Sequence, residues 1–270
     1  MVKRLDPVQV TGAAWPIIGM VHLRPLPGAP AFEGMGAVLD AARRDAEALA
    51  DGGVDAVLVE NFGDVPFHPD RVPPETVAAM TRAVLAVRDV AGLPIGVNVL
   101  RNDARSALAV AAATDASFMR VNVHTGAMLT DQGWISGRAH DTLRERARLG
   151  VAVAILADIL VKHAVVPAGL DAADAARDTW ERGRADALIV SGPATGHAVP
   201  TPRLVAVRAA VPDAPLLIGS GLDEGNAGDL APLADGAIVG SAFQRDGRAG
   251  GGVDPDRVRR LVRVIRAAVE

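Results

Sequence analysis

Eight short runs of Val, Ile, Leu and Ala, each fenced by turn residues and separated by longer amphipathic stretches, leave this chain few folds to choose from. The runs fall near Ile17–Val21, Ala56–Glu60, Ile95–Val99, Phe118–Val121, Val153–Ala157, Ala187–Val190, Leu216–Ile218 and Ala237–Val239. They lack strict apolar–polar alternation, the pattern of parallel strands covered on both faces. Helical periodicity lies between them. Pro73-Pro74-Glu75 opens a helix with Val77, Met80, Val84 and Val87 on one face, and Asp254-Pro255 opens the last, with Val258, Leu261, Val262 and Ile265 inward. A two-unit repeat runs through the series. The even strands follow Asp plus a small residue (Asp55-Ala56, Asp115-Ala116, Asp186-Ala187, Asp235-Gly236), and several odd ones follow Pro16, Pro94 or Pro215. At 270 residues the chain has the length of one barrel of about 250 residues. The expectation is a single (β/α)8 TIM barrel domain over residues 1–270, with no linker and with Gly247–Gly252 as a short flexible link before the last helix.

Composition narrows the setting. Half the residues are hydrophobic, enough for a large core, yet no apolar run approaches the ~20 residues of a membrane span. Asp6, Pro7 and Gln9 stand where a signal peptide would be apolar. There is no cysteine, which fits a cytoplasmic setting, and a net charge of −4 argues against a nucleic-acid binder. Of 28 basic residues only Lys3 and Lys162 are lysine, so the internal Lys162 stands out against an arginine background.

The loops are asymmetric. Helix-to-strand links are terse, such as Asp51-Gly52-Gly53, whereas strand-to-helix links such as His22–Met35, Asn61–Pro73, His124–Arg138, Asp158–Leu170 and Ser191–Pro200 are long. In a barrel all the long loops emerge at one mouth, the face that carries active sites. Polar residues collect there: His22, Glu60, Asn61, Asn98, Arg101, Asn102, Arg120, Asn122, His124, Asp158, Lys162, His163, Ser191 and Thr195. Polar groups ending apolar strands cost burial energy unless they are paired or used. Asn102 is expected to cap the helix that starts near Asp103. The last two strands open into Gly219-Ser220-Gly221 and Gly240-Ser241-Ala242, turns that let backbone amides approach an anion closely. They are expected to bind phosphate, with Ser191 and Gly192 beside them.

For chemistry the expected group is Lys162, Asp158, Glu60, His163, Asn98 and Asn122, with His22, Arg101 and Arg120 as a further set. A desolvated lysine can act as nucleophile or acid–base group, with Asp158 or Glu60 as general base and the two asparagines as orienting amides. The plainer reading is that Lys162 pairs with Asp158 or Glu60, or adds charge for a phosphate. A divalent metal is an open alternative, with Glu60, Asp158, His22, His124 and His163 as donors, although no HxH or HExxH spacing occurs. Two carboxylates for glycoside chemistry, Glu60 and Asp158, are a further one.

Ile18-Gly19-Met20-Val21-His22-Leu23, Val59-Glu60-Asn61-Phe62-Gly63-Asp64-Val65-Pro66-Phe67, Gly96-Val97-Asn98-Val99-Leu100-Arg101-Asn102-Asp103, Arg120-Val121-Asn122, Thr130-Asp131-Gln132-Gly133 and Val161-Lys162-His163-Ala164 resemble the BtpA/SgcQ family over nearly the whole chain. The resemblance implies a barrel. It also implies one of two roles: a factor for photosystem I biogenesis and stability, peripheral to the photosynthetic membrane, or an enzyme, in some members regarded as a nucleosidase. The expected partner is a small phosphorylated ligand, with a homo-oligomer and peripheral membrane association as further expectations. A partner-binding factor would use the loop His22–Met35, with Leu23, Leu26 and Phe32. The same loop could instead form a lid.

Overall fold

A computed structural model describes residues 4–270. Eight parallel strands close a barrel in the order β1 (Ile17–His22), β2 (Ala56–Glu60), β3 (Ile95–Asn98), β4 (Phe118–Val121), β7 (Ala154–Asp158), β9 (Ala187–Val190), β10 (Leu216–Ile218) and β11 (Gly236–Val239), and β11 pairs back onto β1. Helices α2 (Met35–Asp51), α3 (Pro74–Ala91), α4 (Ala104–Thr114), α5 (Ala139–Leu149), α6 (Ala172–Arg177), α7 (Thr201–Ala210), α8 (Ala227–Leu230) and α9 (Pro255–Val269) alternate with them. A short α1 (Pro7–Thr11) precedes β1, and Leu5 and Val10 pack against the barrel interior. The eight expected strands are all present. The expected helix starts are too: Pro lies in the first turn of α3 and of α9, and Asp254 caps α9 by accepting from the Asp256 and Arg257 amides.

The Asp repeat has a physical cause. Asp55, Asp186 and Asp235 each accept a backbone N–H at the start of the preceding barrel strand, from Ile17, Ile155 and Leu216 respectively. An arginine from a helix then holds each carboxylate: Arg266, Arg146 and Arg208. Asp115 departs from this. It ends α4 in a left-handed conformation (φ 54°) and pairs with Arg88, while Ser117 makes the backbone bond to Ile95.

Inside the barrel, Ile18, Met20, Ala56, Leu58, Phe118, Ala154, Leu156, Ala187, Ile189, Leu217 and Ile238 fill the space between the strands. Their period of two continues upward to His22, Glu60, Arg120, Asp158, Ser191, Gly219 and Gly240. The polar strand ends therefore face the barrel axis. A small antiparallel sheet was not legible in the sequence: β5 (Ala127–Thr130) and β6 (Gly133–Ser136) form a hairpin, and β8 (Ala164–Val165) pairs with β5. The 247–252 link is tied down, since Gly251 donates to Gln244 and Gln244 bridges to Val253. No helix among the described residues is long and apolar enough to cross a membrane.

Gly96 makes room for the Phe118 ring; a Cβ there would lie 2.1 Å from Cε2 of that buried ring. Gly96→Ala is expected to lower stability by about 1–3 kcal/mol through overpacking. Phe118→Leu in the same chain should recover part of the loss, as read by denaturant unfolding of the single and double variants.

Candidate active site

The mouth holds a cavity of about 510 Å³ lined by residues from each barrel strand or the loop that follows it. His22, Glu60, Arg101, Arg120, Asn122, Lys162, His163, Gly219, Ser220, Gly221, Gly240 and Ser241 all reach its wall. Asn98, Asp158, Ser191 and Gly192 do not; they lie behind it.

Asp158 is the anchor of that hidden layer. At 2 % exposure it accepts from Arg120 through both carboxylate oxygens at 2.9 Å, from Asn122 at 3.1 Å and from Ser191 at 3.2 Å. Asn98 donates to the Asn122 side-chain oxygen and to the Arg120 carbonyl, each at 3.2 Å, leaving its own Oδ1 without a partner. Four donors on two oxygens leave Asp158 fully occupied. Its place is to fix the Arg120 guanidinium, and Asp158 raises the Arg120 pKa against the opposing effect of burial.

Glu60 is placed differently. Its carboxylate is buried and no hydrogen-bond donor reaches it; the nearest charged or ionisable partner is His22 Nε2 at 3.9 Å. Burial raises its pKa above the ordinary glutamate value, against the pull of Arg120 and Lys162. Lys162 forms no ion pair among the described residues. The expected pairing with Asp158 or Glu60 is absent, because Asp158 is taken by Arg120. Desolvation, with Arg120 adding to it, lowers the Lys162 pKa to about 8.

Gln244 is a member that the sequence did not reveal. It is fully buried and follows the turn Ser241–Phe243. Its Oε1 accepts from Gly251 N–H, which fixes the amide so that Nε2 donates to His22 Nδ1. His22 must then carry its proton on Nε2, directed toward Glu60. Burial, together with Lys162 and Arg120, lowers the His22 pKa to about 3, so the ring stays neutral.

The motifs divide into cavity groups and fastenings. Asn61 and Asp64 lash the loops after β1, β2 and β3 through Leu26, Leu100 and each other. Asn102 does not cap α4. It bridges both backbone groups of Val123, and Asp103 is the cap instead, accepting from Ser106 N. Ser220 Oγ accepts from Gly192 N–H and so ties two loops together. The amides of Ser220, Gly221, Leu222, Ser241 and Ala242 have no partner among the described residues. His163 adopts φ 57° and its Nε2 meets Thr195 Oγ1 at 2.9 Å. Leu23 and Leu26 are spent in the core, whereas Phe32 is exposed; the 23–35 loop does not line the cavity and so forms no lid over it. Asp131 at the hairpin tip lines the cavity instead. Of the metal candidates, His124 points away, to the Gly183 carbonyl, and among the described residues no three His, Asp or Glu side chains gather as a metal site.

A family model for the BtpA family matches residues 13–267. The chain belongs to the BtpA family. Photosystem I biogenesis protein BtpA of Synechocystis sp. is 47% identical over 251 residues, covering 93% of this chain and 88% of the relative. The sgc region protein SgcQ of Escherichia coli is 35% identical over 261 residues, covering 95% and 96%. Among solved structures, native KDPGal aligns with a TM-score of 0.59 at 17% identity over 95% of this chain and 97% of that one. N-(5'-phosphoribosyl)anthranilate isomerase from Pyrococcus furiosus aligns with a TM-score of 0.55 at 12% identity over 94% and 99%. At such identities these two speak for the barrel alone.

Asp158→Asn removes the charge that closes the buried Arg120. The expected cost is about 3–5 kcal/mol, seen as a lowered melting temperature with no comparable loss on Glu60→Gln. The Gln244 contact predicts an Nε2–H tautomer for His22 from pH 5 to 8, readable from ring nitrogen chemical shifts. In Gln244→Glu the new acceptor should draw the proton to Nδ1 and raise the His22 pKa.

Proposed function

We propose that the protein is an enzyme acting on a small phosphorylated compound, a sugar phosphate or nucleotide-like molecule, bound at the barrel mouth. One observation carries this reading: an acid and a lysine without ion pairs among the described residues, Glu60 buried and Lys162 beside it, share a cavity whose wall also holds turns with unpartnered amides. Groups left unpaired at a cost in stability are groups held ready for a ligand. The amides of Ser220, Gly221, Ser241 and Ala242 would grip the phosphate, and remote binding would place the reacting carbon between Glu60 and Lys162. Glu60 as carboxylate takes a proton. The Lys162 ammonium and the His22 Nε2–H stabilise the negative charge that develops, and Arg120, fixed by Asp158, sets the field around them. Isomerisation, aldol-type cleavage and cleavage of an N-glycosidic bond all use such an arrangement. The isomerase among the fold neighbours is named for a 5'-phosphoribosyl substrate, which is consistent with this by analogy of fold.

A second reading, a non-catalytic factor for a membrane complex, is favoured by the Synechocystis relative's name and by one surface feature. Leu129 lies opposite both Trp134 and Val165 in the small sheet, and all three are exposed. If this row carries the function, Trp134→Glu should abolish co-sedimentation with the membranes that bind wild type.

The enzyme reading is tested by a thermal-shift screen against phosphorylated sugars and nucleotides, with and without divalent metal, on wild type and Ser241→Asp. Ser241 is preferable to Ser220 because the Ser220 hydroxyl ties two loops. A ligand-dependent rise in melting temperature that disappears in Ser241→Asp is expected. Absence of any rise with every phosphorylated compound overturns the proposal. With the substrate in hand, kcat/KM should rise as Glu60 ionises above the usual glutamate range and fall through about pH 8 as Lys162 loses its proton. In Lys162→Met the alkaline limb should vanish.

A further inference from the structure

Three arginines are buried among the described residues, and two of them are closed by carboxylates: Arg120 by Asp158, and Arg146 by Asp186. Arg101 is the exception. At 7 % exposure its guanidinium makes one hydrogen bond, through NH2 to the Lys162 carbonyl at 2.9 Å, and no ion pair among the described residues. The same bond brings the Lys162 segment beside it, and the Lys162 ammonium is likewise without an ion pair. Both side chains line the cavity. Burying a guanidinium without a counter-charge costs several kcal/mol, and the two cations repel each other. That arrangement is stable against its own repulsion only at the expense of packing and hydrogen bonds elsewhere, and an anion entering between them relieves it.

The carboxylates nearby do not fill this place. Asp158 is saturated by four donors, Glu60 stands beside His22, and Asp131 is exposed at the hairpin tip. Topology separates Arg101 from the turn after β10, while Lys162 follows β7, two places from β10, and its segment is joined to Arg101 by the carbonyl bond. In the closed strand order β3, which leads into Arg101, lies four places from β10, which leads into Gly219, whichever way round the barrel is counted. Arg101 and the turn after β10 therefore face each other across the mouth.

We propose that Arg101 and Lys162 form a second anion subsite, so that the substrate carries a carboxylate or a second phosphate at the end opposite the phosphate held by the turns. This rests on the enzyme reading above and narrows it to doubly anionic small molecules. The guanidinium fork suits either anion through paired N–H···O bonds, and Lys162 adds a point charge.

The test is titration calorimetry with three probes of similar size: glucose 6-phosphate, 6-phosphogluconate and fructose 1,6-bisphosphate. Wild type should bind 6-phosphogluconate or the bisphosphate at least about tenfold more tightly than glucose 6-phosphate, the gain of one charge-assisted contact. Which of the two gains tells carboxylate from phosphate. Arg101→Gln should bring that ratio to within about twofold of one, and so, separately, should Lys162→Gln, which leaves the Arg101 bond to the residue-162 carbonyl in place. Arg101→Lys should recover part of the preference, and the melting temperature of each variant reports that it is folded. Equal affinity for all three probes in wild type overturns the second subsite, as does a preference that survives in both variants. Either result leaves the phosphate turns standing. Ser241→Asp binding all three as wild type does overturns the turns instead, and no binding of any probe overturns both.

Discussion

Closing eight parallel strands into a ring forces every second side chain into a narrow axial space, and the whole molecule is organised by what can occupy it. Toward one end the chain supplies Met20, Leu58, Phe118, Leu156 and Ile189, which fill the space. Two residues further along each strand the same inward positions carry His22, Glu60, Arg120, Asp158 and Ser191. The switch from apolar to polar along a fixed period turns a packed core into a floor and the next layer into a site. No loop has to aim these side chains, because the pleat of the strands already does.

Within that layer the charges fall into two kinds. Asp158 and Arg120 satisfy each other so fully that they act as one rigid dipolar block, with Asn98, Asn122 and Ser191 bolted to it. Glu60, Lys162 and Arg101 are kept apart from counter-charges although carboxylates and cations are both near. The block is what makes the separation achievable. By occupying Asp158, Arg120 denies Lys162 its obvious partner, and by burying His22 near Lys162 and Arg120, which keeps the ring neutral, the fold denies Glu60 a cation at its nearest ring. Specific pairing of some groups thus preserves the reactivity of others.

The barrel was legible because its signals are local: short β-branched runs, terse links below and long ones above, and Asp55, Asp186 and Asp235 marking the start of alternate strands. Most of the groups at the mouth were legible for the same reason, as polar residues where apolar strands end. Their division of labour was not. Asp158 and Glu60 look alike along the chain, and only the position of Arg120 on β4 decides that the first is saturated and the second is not. Asn102 and Asp103 are both good capping residues in adjacent places, and the Val123 backbone, 21 residues on, takes one of them. Gln244 gave no signal, since it follows an unremarkable turn and acts on a histidine 222 residues away. The β5–β6 hairpin hid inside a long loop because four-residue strands joined at Asp131-Gln132 are too short for a period to emerge.

Seven of the eight strand pairings in the barrel join neighbours along the chain; the eighth, between β1 and β11, joins its two ends. On the other edge of β1, toward β2, sits the Asp55 fastening. Asp55 holds the Ile17 amide, Arg266 of α9 holds Asp55, and the same guanidinium reaches the Trp15 carbonyl. Loop-closure entropy is greatest for such distant partners. The His22–Gln244 contact spans the β1–β11 seam, so the pairing that closes the ring also brings His22 its amide partner. Closure of the ring and completion of the site thus depend on the same two ends of the chain.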